Sequence, residues 1–509
     1  MRRAWLAPAV LAAVGAAVYL VADPSSADLA AQQYRAGLFA REGFALWDGQ
    51  WYGGHHVPGY SVLFPAMGAW LGPRLVAAAA VVLASALCAR LATHRVALLF
   101  AATALAALPS GRLAFAFGLP FGVGALLALR ERRVALAAAL GALASLASPV
   151  VGLFAALCAV AFALGTPSAR RPGIALAAAA LIPIAITSIA FPEGGTEPFV
   201  ASSFWPVLAV TLVTAAALWR EHRVVRLGAL LYALLLVGAF VVPSPLGGNA
   251  ARLGPLLAAP LAALAITGTH RRALAGLALA AVLVGWAWLA PVRDVRTAHA
   301  DPATHAAYFA PLLAHLALTP GPPGRLEIPF TRDHWEAAYV APRFALARGW
   351  ERQLDRRFNA LFYKPLDPSA YRRWLDALAV RWVALPDSPL DASSNDEAAL
   401  LRRGVPGLRL AWSSAHWRVW EVQPAAPLAR GAARVVAMRG DSVELTGAQP
   451  GPTMVQVRFT PYWALATGSG CVRRAPGGWT EIDARRAGPL RLVTRFSLLR
   501  IGAHGGRCT

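Results

Sequence analysis

The chain has 509 residues but only one lysine, Lys364. Acids are scarce as well: 26 Asp and Glu stand against 48 basic residues, so 47 arginines carry nearly all of a formal net charge of +22. Charged residues make up 15% of the chain, against the roughly 25% of an ordinary soluble domain. That shortage excludes a typical cytosolic enzyme, a disordered tail and a fibrous repeat. The arginine and alanine skew reads as a GC-rich bacterial genome rather than a chemical requirement. Cysteine is limited to four residues, with no CxxC or Cys/His zinc spacing. GxGxxG, Walker A, GxSxG and HExxH motifs are missing too.

What is present is apolar: 57% of residues are hydrophobic, and the mean hydropathy is +0.50. A basic balance suggests nucleic acid or an anionic membrane. Here the arginines sit in short clusters between apolar runs, which favours membrane topology and argues against nucleic acid. Apolar runs predict transmembrane helices at about 4–22, 75–91, 96–109, 113–129, 134–147, 149–164, 173–191, 205–219, 227–242, 253–268 and 273–290. Ser148-Pro149 predicts a break between the fifth and sixth.

Six basic clusters set the expected orientation: Met1-Arg2-Arg3, Arg90 to Arg95, Arg130 to Arg133, Arg170-Arg171, Arg220 to Arg223, and His270-Arg271-Arg272. With eleven helices and a cytoplasmic N-terminus, all six fall on the cytoplasmic side of a bacterial plasma membrane. The opposite loops hold six of the eight acids found before residue 291. Residues 57–72 are apolar, and counting them as a span would reverse every later cluster. They are therefore expected to form a re-entrant or interfacial segment within a first outer loop, 23–74. The first apolar run lacks a clear small-x-small cleavage site and is expected to be retained.

The remaining eighteen acids lie in residues 292–509, which read as extracytoplasmic. Strand-like pieces (Arg325-Leu-Glu-Ile-Pro, Arg381-Trp-Val-Ala-Leu, Leu408-Arg-Leu-Ala-Trp, Trp417-Arg-Val-Trp-Glu-Val) alternate with amphipathic helices at 367–378 and 395–403. The expected division is a transmembrane domain over 1–290, an α/β module over 291–425 and a C-terminal β-sandwich over 426–509. Cys88 and Cys158 fall in predicted helices. Cys471 and Cys508 fall in the outer region, where a disulfide between them is expected.

The first outer loop carries the candidate chemistry. Asp28 follows the first helix at a helix start. Asp48 lies in the aromatic, Gly-rich stretch Leu46-Trp-Asp-Gly-Gln-Trp-Tyr-Gly-Gly-His-His. A carboxylate can take a proton from an attacking hydroxyl, and Trp47, Trp51, Tyr52, His55 and His56 offer faces and polar edges for a sugar. The competing readings are an N-cap for Asp28, a plain turn residue for Asp48, and a polar loop for the paired histidines, with metal binding the minor alternative. Arg252 and Asn249 in the 243–254 loop, and Arg112 in Pro109-Ser-Gly-Arg, can contact phosphate. Their plain reading is snorkelling at helix ends. Glu193 and Glu197 read as a solvated acidic pair. The Arg-Trp stretch 334–357 reads as a folded surface with Arg stacked on Trp.

This layout resembles the GT-C class of membrane glycosyltransferases, and the wording Trp-Asp-Gly…Tyr-Gly-Gly…Pro-Gly-Tyr…Phe-Pro resembles bacterial arabinofuranosyltransferase-like membrane proteins. The resemblance spans residues 1–290 and implies a polyprenyl-phosphate sugar donor used on the outer face. The acceptor would be an envelope glycan or lipid. It implies a first-loop catalytic carboxylate, Asp28 here with Asp48 second, and a donor phosphate held by Arg252. Many members carry two adjacent acids in this loop; Asp28 stands alone, so a divalent metal stays open. Two readings of other classes remain: a transporter or lipid flippase, and a non-catalytic scaffold of envelope assembly. Against transport stand the odd span number, the absence of a detectable internal repeat, and spans almost free of ionisable residues.

Overall fold

A computed structural model describes residues 6–218, 222–265, 270–503 and 505–508. The expected Met1-Arg2-Arg3 cluster, Arg220-Glu221 and the predicted helix ends at 4–5, 219 and 266–268 lie outside the described residues. The chain separates into two compact units. The first comprises 1–32, 60–188 and 194–299; the second comprises 33–59, 189–193 and 300–509. The first outer loop is therefore divided between them.

The helices that begin in the first unit are α1 (Leu6–Ala22), the polar α2 (Ala27–Glu42, continuing into the second unit), α3 (Phe64–Leu71), α4 (Pro73–Leu91), α5 (His94–Ala104), α6 (Leu113–Arg130), α7 (Val134–Ala147), α8 (Pro149–Gly165), α9 (Arg170–Ala190), α10 (Ala201–Ala217), α11 (Arg223–Val241), α12 (Leu253–Ala265) and α13 (His270–His299). Proline punctuates them. Ser148 is extended and α8 starts at Pro149, because a residue before proline avoids the helical region and proline suits the first helical position. Gly72 at φ 87° separates α3 from α4, which also starts on a proline. The eight-residue α3 occupies the segment expected to be re-entrant or interfacial.

Among the described residues, five helices are long and apolar enough to cross a membrane: α4, α6, 167–190, α11 and the 274–299 portion of α13. The others are shorter; α7, with 14 residues, reaches about 21 Å against a hydrocarbon core of about 30 Å. α6 is the central helix, 78% buried over its apolar window against 28% for α11. It packs on α4, α7 and α8 through small residues. A Cβ on Gly152 of α8 would stand 1.9 Å from Ser145 Oγ of α7, so only glycine allows that approach. Large apolar side chains point outward instead, including Val10, Val14, Ile182, Ile186, Leu234, Leu277 and Val282. Such an inverted surface belongs in lipid.

The second unit opens with a two-stranded hairpin, β1 (Trp47–Asp48) and β2 (His55–His56), pairing Trp47 with His56 and Asp48 with His55. A mixed sheet follows in the order β3 (Arg325–Glu327), β4 (Val380–Pro386), β6 (Trp417–Val422), β5 (Leu408–Ser413), with β3 and β4 parallel. Its connections hold α14 (Ala306–Leu318), α15 (Glu336–Tyr339), α16 (Arg352–Phe358), α17 (Pro368–Ala377) and α18 (Asn395–Arg403). Asp367 caps α17 by accepting from the Ala370 N–H at 2.7 Å. Tyr371, Trp374 and Leu375 of α17 pack with Leu400 and Leu401 of α18 on Val380, Val383 and Leu385.

Two further antiparallel sheets follow. One runs in the order β15-β12-β13-β10-β7 and the other β11-β14-β9-β8. The strands are β7 (Ala429–Gly431), β8 (Arg434–Met438), β9 (Ser442–Ala448), β10 (Gly451–Arg458), β11 (Trp463–Thr467), β12 (Gly470–Arg474), β13 (Trp479–Ala484), β14 (Gly488–Thr494) and β15 (Arg507–Cys508). Alternate residues of both sheets, among them Val443, Leu445, Val455, Trp463, Ile482 and Leu492, fill one core, which makes a β-sandwich. A disulfide joins Cys471 on β12 to Cys508 on β15.

Candidate functional site

In the first unit, local backbone geometry brings Asp28 and Arg112 together. Gly111 lies at φ 73° in the turn before α6, and a Cβ there would sit 2.5 Å from Leu29 N and Ser26 Oγ. Glycine thus lets the turn press on the first turn of α2. Asp28, in that first turn, gains from the positive end of the helix dipole. Its Oδ2 lies 3.8 Å from Arg112 Nε, with the Asp28 side chain 24% exposed and Arg112 39%. Among the described residues Arg112 Nε makes no hydrogen bond.

Arg252 closes the 3-10 turn Gly247–Arg252. Gly247 sits at φ 40°, where a Cβ would fall 1.9 Å from the Glu197 carbonyl. Tyr232 of α11 anchors the turn: its hydroxyl donates to the Ala250 carbonyl at 2.9 Å and accepts from Gly254 N at 3.0 Å. The Arg252 guanidinium lies 5.7 Å from the Phe115 ring centre, and Arg252, Asp28, Asp294 and Tyr60 all act electrostatically on Arg112. Asn249, in the same turn, is half-buried. The first unit therefore places Asp28, Arg112 and Arg252 in one polar cluster. Asp294 joins them and was not among the sequence candidates. It sits on α13, which continues to His299, past the expected end at 290, because its last turns are amphipathic rather than uniformly apolar. Arg293 and Arg296 beside it were the available signal.

The aromatic group is placed differently. Trp51, Tyr52, Trp47, His55 and His56, which the sequence offers as faces and polar edges for a sugar, are all buried in the second unit. Trp51 stacks on Tyr34 at 4.3 Å and on His55 at 5.6 Å. Trp47 packs edge-on against Trp463 at 5.7 Å. The Tyr52 hydroxyl donates to the Glu351 carbonyl at 2.9 Å, while the Glu351 carboxylate pairs with Arg35. His56 lies between Glu193 at 2.6 Å and Thr460 Oγ1 at 2.9 Å. Glu193 is therefore a half-buried partner of His56 rather than a fully solvated acid. Burial alone would raise its pKa, but the hydrogen bonds and charge of His56 hold it below the usual carboxylate range.

Asp48 is 1% exposed. It accepts from the Tyr34 hydroxyl at 2.8 Å and the Gln50 N–H at 2.9 Å, and burial raises its pKa. Those contacts fix the hairpin and leave no face for an incoming hydroxyl. The Arg-Trp stretch is also more internal than expected. Arg348 is buried and makes a bidentate pair with Asp355 at 3.0 and 2.7 Å, with Glu397 at 3.5 Å. No three His, Cys, Asp or Glu side chains converge to hold a metal among the described residues.

No family model and no curated protein matches the chain. It is similar to the structure of arabinofuranosyltransferase AftD from Mycobacteria, with 17% identity and a TM-score of 0.47 over 83% of this chain and 40% of that one. It is also similar to the Archaeoglobus fulgidus oligosaccharyltransferase in the apo form, with 11% identity and a TM-score of 0.46 over 75% of this chain and 69% of that one. The chain spans less than half the length of AftD.

Proposed function

We propose that the protein is a membrane glycosyltransferase that moves a sugar from a polyprenyl-phosphate donor to an envelope glycan or lipid acceptor. Support comes from one observation above the rest: a part-exposed carboxylate, Asp28, stands beside Arg112 with Arg252 in electrostatic range. A base next to two fixed cations suits a reaction in which a proton leaves one reactant and negative charge gathers on the other.

In this reading the acceptor hydroxyl oxygen attacks the anomeric carbon and its proton passes to the Asp28 carboxylate. The bond between the anomeric carbon and the phosphate oxygen breaks. Polyprenyl phosphate departs with that electron pair, held by Arg252 and Arg112 with Asn249 beside them, and the anomeric centre inverts. A cavity of about 180 Å³ runs from Tyr232, Leu253 and Gly254 past Val210 and Leu257 to Leu261. It starts next to the Arg252 turn and suits the first isoprene units of the donor. Asp28 is preferred over Asp48 as base because Asp48 is enclosed. Asp294 is assigned to balancing the two arginines. The arginine clusters support a cytoplasmic N-terminus in a bacterial plasma membrane, which puts the α/β module and sandwich outside, where they would hold the acceptor.

The test is release of polyprenyl phosphate by the purified protein in nanodiscs, offered a panel of polyprenyl-phosphate sugars and glycan acceptors. Donor- and acceptor-dependent release is expected. Donor movement between leaflets without release would establish the flippase reading instead.

A further inference from the structure

A second cavity, of about 520 Å³, lies in the first unit among α3, α4, α6 and α7, away from the Asp28 cluster in sequence and composition. Its long wall is apolar: Leu83 and Leu87 of α4, Phe117 and Phe121 of α6, and Leu136 and Leu140 of α7. Leu83 and Leu136 are about half exposed, so the groove opens to the side that faces lipid. One end is charged, lined by Arg90, Glu131 and Arg133. Glu131 lies 3.7 Å from Arg90 Nη2 and 3.5 Å from Arg133 Nε. One carboxylate cannot neutralise two guanidiniums, and Arg130 and Arg132 in the same turn add to the excess. Arg130 ties the turn to the end of α4 by donating to the Leu91 carbonyl at 2.5 Å. Arg132 turns the chain at φ 59°.

We infer that this groove is a site for an anionic glycerophospholipid of the surrounding bilayer. The phosphate sits between Arg90 and Arg133, and one acyl chain lies along the α4–α6–α7 wall. Charge complementarity selects this occupant. A bare apolar seam would accept any chain, but a seam ending in excess guanidinium charge at the membrane surface favours a phosphate without a compensating cation. The inference does not depend on the proposed transferase activity.

Native mass spectrometry of the detergent-purified protein, titrated with phosphatidylglycerol or phosphatidylcholine, tests it. Wild type is expected to retain phosphatidylglycerol preferentially. Arg90→Ala with Arg133→Ala is expected to lower that preference by about tenfold or more, the scale for two arginines at an anionic surface. Both side chains are more than 60% exposed, so the variant keeps its fold, as monodispersity would verify. Leu136→Trp, which fills the groove but keeps the charge, is expected to reduce retention as well. Equal retention of the two lipids by wild type would overturn the inference. So would a preference that survives the double substitution, an undiminished signal in Leu136→Trp, or one-for-one displacement by polyprenyl phosphate.

Discussion

Asp28→Asn and Asp48→Asn should separate catalysis from stability in opposite ways. Asn keeps the size of Asp and removes its basicity. A positioned general base contributes about 10²–10⁴-fold, which is about 3–5 kcal/mol of barrier at 1.36 kcal/mol per tenfold. The stability cost at Asp28 is small by comparison. Its pair with Arg112 spans 3.8 Å with both side chains partly exposed, a regime in which ion pairs contribute about 0–1 kcal/mol. At Asp48 the balance reverses. Both carboxylate oxygens accept a hydrogen bond in a buried setting, from Tyr34 and from Gln50. An Asn there points its NH2 at one of those donors, leaving a buried group unsatisfied at a cost of about 1–3 kcal/mol.

The assay is initial-rate release of polyprenyl phosphate, with the melting temperature measured on the same preparations. Asp28→Asn should lose at least about a hundredfold in turnover with an unchanged melting temperature. Asp48→Asn should melt several degrees lower, at roughly 2–4 °C per kcal/mol for a unit of this size, and keep its turnover below that temperature. Full activity in Asp28→Asn would refute the reasoning. So would an Asp48→Asn protein that is inactive yet as stable as wild type.

Arg252→Ala should raise KM for the donor more than it lowers kcat, with Arg252→Lys recovering part of the loss, read from donor titrations; a planar fork holds phosphate better than a point charge. Gly111→Val should lower both activity and melting temperature, since its Cβ would meet Leu29 N and Ser26 Oγ at 2.5 Å from a left-handed backbone. Burial raises the Glu336 pKa to about 8. A carboxyl held protonated in the folded state stabilises fully below its unfolded pKa of about 4.3, and that contribution is lost as pH rises toward the folded value. The melting temperature of the second unit should therefore fall between about pH 5 and 8. Glu336→Gln, a neutral mimic, should flatten that slope in calorimetric scans.

The bundle was legible because its signals are local. Apolar runs, Ser148-Pro149 and the small-residue faces each act within a turn or two of chain. The same holds for α17, α18 and the strands around Arg381 and Trp417, where period and cap coincide. Asp28, Arg112 and Arg252 could be chosen for charge near apolar run ends, although their convergence depends on Gly111 and Gly247, whose tight approaches have no local pattern. The Trp47–His56 stretch misled for a physical reason. Aromatic residues among glycines describe an open sugar platform and a packed anchor equally well. What decides between them lies far along the chain: Glu351, Thr460 and Trp463 cover Tyr52, His56 and Trp47. Asp294 escaped notice because α13 runs past its apolar stretch on an amphipathic face.

The central claim is that donor phosphate binds at the Asp28–Arg112–Arg252 cluster. Photocrosslinking tests it most directly, with a polyprenyl-phosphate sugar bearing a photoreactive group on its first isoprene unit and adducts mapped by peptide mass spectrometry. The account predicts adducts in 207–261, concentrated around Tyr232 and Leu253–Leu257, and their loss in Arg252→Ala. Adducts confined to α4 and α7, or labelling indifferent to Arg252, would contradict it.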